Sequence, residues 1–176
     1  MTFVTTLFLS VGLALAGREA FAKPKLALEA DFALPVSVNG AKPGAGGALR
    51  GGYDIDLAIV HVMPEIGLGF HKLTDSAGPS VFRGFAGGRV GIGAGVRLDG
   101  FAHIGYGYLG SPAPPFGAVD SSYGAPILDA GLALDFTLIP VVDLGLHGSY
   151  NTALTQNGAA DTPRWIGLGA HVAFAF

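Results

Sequence analysis

The last twelve residues of the chain, WIGLGAHVAFAF from Trp165 to Phe176, alternate with a period of two up to the final position. Ile166, Leu168, Ala170, Val172, Phe174 and Phe176 share one face, while Trp165, Gly167, Gly169, His171, Ala173 and Ala175 share the other. Successive side chains of a β-strand point to opposite sides, so this pattern predicts a strand. One of its faces is long and apolar, and the other is small or polar.

The same alternation recurs back along the chain. Strand one is predicted over Lys25 to Leu34, with Leu26, Leu28, Ala30, Phe32 and Leu34 opposed by Ala27, Glu29, Asp31 and Ala33. Strand two covers Gly51 to Val62, and Pro64 makes a tight stop before strand three at Ile66 to His71. Strand four runs from Arg83 to Leu98, and Asp99-Gly100 reads as a two-residue hairpin turn into strand five, Phe101 to Leu109. Strand six covers Pro126 to Leu138, Pro140 makes a second tight stop, and strand seven follows over Val142 to Tyr150. The Gly- and Pro-rich stretches Pro35–Arg50, Lys72–Ser80, Gly110–Gly124 and Asn151–Pro163 read as long loops. Eight strands therefore follow one another with connections that alternate long and short.

Composition sets the surroundings. Of 176 residues, 50% are hydrophobic and 13% charged, with 29 Gly, so the chain needs an apolar environment as well as an apolar core. A net charge of −3 offers no basic face for nucleic acid, and zero Cys removes disulfides and thiolate metal sites. Phe3 to Ala16 is apolar over the length of a signal-peptide core and too short to span a membrane as a helix. Ala20-Phe21-Ala22 supplies a small-x-small cleavage pattern, although no Lys or Arg precedes the apolar run. The expected division is a leader over residues 1–22 and a barrel over 23–176.

Magnitude decides which face meets which medium. An eight-stranded barrel has an interior just wide enough for side chains to fill it, so a continuous lining of Leu, Ile, Val, Phe and Tyr would overcrowd it. Turned outward, those side chains meet lipid, and Gly and Ala suit the interior. Closure also leaves no unpaired strand edge in the hydrocarbon. The predicted fold is an all-β, eight-stranded antiparallel up-and-down transmembrane β-barrel.

With a leader, eight alternating strands, tight turns on one side and a terminal Phe176, the chain resembles the small bacterial outer-membrane barrels of the OmpA and OmpX type. The resemblance implies a Gram-negative outer membrane, contact with its lipid, and insertion by the barrel-assembly machinery, which reads the last strand through Phe174 and Phe176. It implies no cofactor. A structural or surface-interaction role follows, with a narrow, weakly cation-selective pore as the alternative.

Candidate functional residues fall into three groups. Glu29, Asp31, Asp54, Asp56, Asp129, Asp135 and Asp143, with Arg89 and Arg97, are predicted to form a polar network in the lumen, joined by His147 and His171. His71 and His103 also take lumen positions, and an ion pair or hydrogen bond is expected between His171 and Asp143. Strand directions place His71 and His147 at one height and His103 and His171 at another, which argues against a metal site. Tyr53, Tyr106, Tyr108, Tyr150 and Trp165 are predicted to form an interfacial aromatic girdle near the outer strand ends. The third group is His147-Gly148-Ser149, similar to the His-x-Ser of outer-membrane lipid A deacylases, for which Asp161 and Asn157 would be the partners. Because the lipid side of that strand belongs to Leu144 and Leu146, the chain is read as a non-enzyme.

Overall fold

Alternation of large apolar with small or polar side chains makes every strand two-faced, and the chain satisfies both faces by closing on itself. The computed structural model describes residues 21–36, 42–57, 59–73, 80–110, 122–154 and 163–176. Eight strands form in chain order: β1 Phe21–Pro35, β2 Gly44–Leu57, β3 Val60–Lys72, β4 Ser80–Gly93, β5 Val96–Gly110, β6 Ser122–Ile139, β7 Val142–Ala153 and β8 Arg164–Ala175. Each pairs antiparallel with its sequence neighbours, and β1 pairs with β8, which closes the barrel. The closing ladder runs from Lys25↔Ala175 to Pro35↔Trp165. The amide of Phe176 extends it by donating to Pro24 O at 3.0 Å.

Large apolar residues cover the outside. Ile66, Leu132 and Leu146 are 67%, 62% and 59% exposed, and Leu28, Phe32, Leu68, Phe82, Ile104 and Leu168 lie on the same surface. Phe174 and Phe176 are also outward, near the end where the short turns lie. Side chains of the other parity fill the interior. This arrangement is the inverse of a soluble barrel and matches a lipid-facing exterior.

Two turns differ from their predicted places. β2 ends at Leu57 and β3 begins at Val60, so the chain reverses before Pro64 and leaves that residue inside β3, facing out. Proline has no N–H to give the ladder, and the β2–β3 pairing is interrupted there: it runs to Gly52↔Glu65 and resumes at Ile55↔Val62. The second reversal lies at Ala94-Gly95 rather than at Asp99-Gly100. Gly93 adopts φ = +125°, open to glycine and strained for other residues, and donates its N–H to Ile59 O at 2.9 Å. The third short turn is at Pro140-Val141, as expected.

The first long connection is shorter than predicted, because Gly44 to Arg50 belongs to β2 and pairs with β1 from Arg50↔Ala27 to Gly44↔Ala33. Similarly, β7 continues through Asn151 to Ala153. Residues 1–20 of the expected leader lie outside the described residues, whereas Phe21 and Ala22 belong to β1.

Candidate functional site

The interior is layered. At the end where the long connections join the strands, Ala33, Leu73, Val81, Leu109, Ala125, Ile127, Ala153 and Trp165 form a buried apolar cluster. They come from the long-connection ends of seven strands, with Leu73 just past the end of β3. Below this cap the lumen is charged.

Ion pairs cross the lumen at successive heights. Nearest the short turns, Arg97 of β5 reaches Asp143 of β7 at 2.7 Å and Asp54 of β2 at 3.3 Å. Lys25 joins both carboxylates, at 2.5 Å and 3.4 Å, and Thr137 Oγ1 donates to Asp143 at 2.6 Å. His61 stands between Asp99 at 2.6 Å and Asp54 at 3.2 Å. Gly91 makes that approach possible, since a Cβ there would fall 1.8 Å from Asp99 Oδ1 and 2.1 Å from His61 Nε2. Arg89 donates to Asp99 at 3.3 Å and packs its guanidinium over the Phe101 ring at 5.2 Å.

In the middle layers, His103 Nδ1 and Nε2 face Asp129 and Glu65, each at 2.7 Å. Carboxylates only accept, so both ring nitrogens donate when both bonds are made. Arg50 bridges Glu29 at 2.5 Å and Glu65 at 2.7 Å, and Arg83 reaches Asp129 at 2.5 Å. Above them, His71 lies 3.0 Å from Asp31 and packs on Trp165 with ring centroids 5.8 Å apart. Among the described residues, eight carboxylates point inward: Glu29, Asp31, Asp54, Glu65, Asp99, Asp129, Asp135 and Asp143. Five Lys or Arg answer them: Lys25, Arg50, Arg83, Arg89 and Arg97. All five histidines of the chain also face the lumen.

Several residues sit where the sequence pattern did not put them. Asp56 shares the parity of Asp54 but is exposed at the end of β2, outside the buried network. His171 does not meet Asp143, because the β7–β8 register sets Asp143 opposite Ala173 and His171 opposite Gly145. The His171 ring instead lies 2.9 Å from Asp135 Oδ1 across the space that Gly145 leaves; a Cβ there would be 2.3 Å from that oxygen. His147 and His171 also share one height, with Nδ1 atoms 3.4 Å apart, since His147 stands opposite Gly169 and diagonal to His171.

Trp165 is fully buried in the cap, which follows from its Gly- and His-bearing parity, and takes no part in an outer girdle. Tyr106, Tyr108 and Tyr150 do face out near the long-connection end. Tyr53 faces out at the opposite end, paired with Pro24.

Lys25, Arg50, His61, Glu65, Arg83 and Asp99 are lumen charges that the strand reading leaves unassigned. Running β2 on to Val62 gives His61 no inward place, and making Asp99 a turn residue removes it from the lumen. Lys25 and Arg83 carry the inward parity of the predicted strands one and four, whereas Arg50, His61, Glu65 and Asp99 become legible only from the true strand ends. The His147-x-Ser149 pair points inward, where Ser149 Oγ accepts from Asn151 Nδ2 at 2.9 Å. Asn157 and Asp161 lie outside the described residues.

No protein-family model matches the sequence, and no curated protein sequence matches it. Similarity appears at the level of the fold. The chain superposes on Neisserial surface protein A with a TM-score of 0.70 at 18% identity, covering 89% of this chain and 99% of that one. It is similar to Ail, the attachment invasion locus protein of Yersinia pestis, with a TM-score of 0.53 at 15% identity, over 90% and 100% of the two chains. The N-terminal β-barrel domain of Pseudomonas aeruginosa OprF gives 0.50 at 14% identity, over 89% and 100%. The fold is that of the small eight-stranded outer-membrane barrels.

Proposed function

We propose that this chain is an integral outer-membrane barrel of a Gram-negative envelope whose role is structural or surface-interacting. One observation carries the reading: the lumen is crossed by ion pairs between non-adjacent strands and closed by an apolar cap, while the outer wall carries the large apolar side chains. An interior built this way stiffens the wall and resists a continuous file of water, which favours a scaffold over the pore. Two of the similar barrels are named as a surface protein and an attachment invasion locus protein, which agrees with a role at the cell surface. Outer-membrane lipid contacts the apolar wall. The barrel-assembly machinery engages the last strand, whose Phe174 and Phe176 face out. The inward Ser149, held by Asn151, supports a non-catalytic role.

Fractionation of a Gram-negative host expressing the protein tests this reading. Recovery in the outer membrane as a heat-modifiable band, with envelope sensitivity to detergent when the gene is deleted, is the expected result. Recovery in the soluble or inner-membrane fraction contradicts it.

A further inference from the structure

We infer that His147, His171 and Glu29 form a binding site for one divalent transition-metal ion of the zinc type inside the barrel. The three belong to consecutive strands of the closed sheet, β7, β8 and β1, and project into the lumen at one height. Glu29 stands directly opposite His171 in the β1–β8 ladder, and one ligand atom from each residue lies within 4.8 Å of the other two.

The orientation of the rings points to a cation. Nδ1 of His147 and Nδ1 of His171 face each other at 3.4 Å. The second nitrogen of each ring is turned to a carboxylate: His171 Nε2 lies 2.9 Å from Asp135 Oδ1, and His147 Nε2 lies 3.7 Å from Asp31 Oδ2. A carboxylate favours the N–H tautomer on the nitrogen that faces it. With the proton on Nε2 of both rings, the two Nδ1 lone pairs are free to ligate one cation placed between them. A carboxylate behind a metal-bound imidazole is also the usual outer-shell partner.

Spacing agrees with a tetrahedral ion. Zinc–nitrogen bonds of about 2.0–2.1 Å at a tetrahedral angle put two ligating nitrogens about 3.3–3.4 Å apart. Imidazole and carboxylate together suit this class of metal better than calcium or magnesium. Arg50 holds Glu29 Oε1 at 2.5 Å, which fixes the carboxylate but places a positive charge behind it. The lumen offsets that charge, since its eight carboxylates outnumber its five Lys and Arg. Three protein ligands leave a fourth position for water or a small anion.

The protein purified from membranes in detergent, stripped with chelator and titrated with zinc or cobalt chloride, tests the site. One equivalent bound is expected, with the intense visible bands of tetrahedral cobalt. His147→Ala and His171→Ala should each weaken binding by at least about tenfold, and Asp135→Asn, behind His171, by about tenfold to a hundredfold. His61→Ala, a lumen histidine near the short turns that pairs with Asp99 and Asp54, should leave binding unchanged. Because cluster variants can fail to fold, imidazole 15N resonances of the unaltered protein give a second reading. Zinc should move two Nδ1 signals. Substoichiometric binding, equal binding in the variants, or unmoved resonances with a proton on either facing Nδ1 would overturn the proposal.

Discussion

Arg97 Nη2 meets Asp143 Oδ2 at 2.7 Å across the lumen, joining β5 to β7, which are not neighbours in the sheet. The same guanidinium reaches Asp54 on β2, and Lys25 on β1 shares both carboxylates. Four strands are therefore tied through one buried cluster near the short turns.

Removing one partner from such a cluster leaves charge buried without compensation. Arg97→Met is expected to destabilise the barrel by about 3–5 kcal/mol. The midpoint of urea unfolding in lipid vesicles, read from the heat-modifiable band, measures this. The double change Arg97→Met, Asp143→Asn, which keeps Asp54 as the partner of Lys25, should recover part of the loss.

The position of the β4–β5 turn gives a second prediction. Gly93 sits at φ = +125°, and a Cβ there would meet Val96 O at 2.1 Å, whereas a Cβ on Gly100 meets nothing nearer than 3.9 Å. Gly93→Ala should cost about 1–3 kcal/mol, and Gly100→Ala should be tolerated. Comparison of their unfolding midpoints distinguishes a turn at Ala94-Gly95 from one at Asp99-Gly100.

Trp165 is the single tryptophan of the chain, so its fluorescence reports one site. Buried in the cap, it should emit at short wavelength and be insensitive to brominated lipids. A girdle tryptophan would be quenched. Trp165→Ala should cost about 3–5 kcal/mol by leaving a cavity in the cap.

Alternation fixed the number of strands and the outward face, because lipid demands a continuous apolar wall and a narrow lumen demands small or paired residues. Turn chemistry was the weaker guide. Pro64 and Asp99-Gly100 carry strong local turn signals, yet both lie within strands, because the ladder tolerates one missing N–H and Asp99 is worth more beside His61 and Arg89. Each displaced turn hides lumen charges near it, His61 and Glu65 in one case and Asp99 in the other. The meeting of His147 with His171 depends on the β7–β8 stagger, which alternation does not reveal.

Single-channel recording from the protein in a planar bilayer, with heat-modifiable migration as the control for folding, bears most directly on the closed lumen. The crossed ion pairs and the apolar cap predict a folded barrel with no steady conductance. A stable cation-selective current that falls on Asp129→Asn or Asp135→Asn would contradict the closed scaffold and establish a pore.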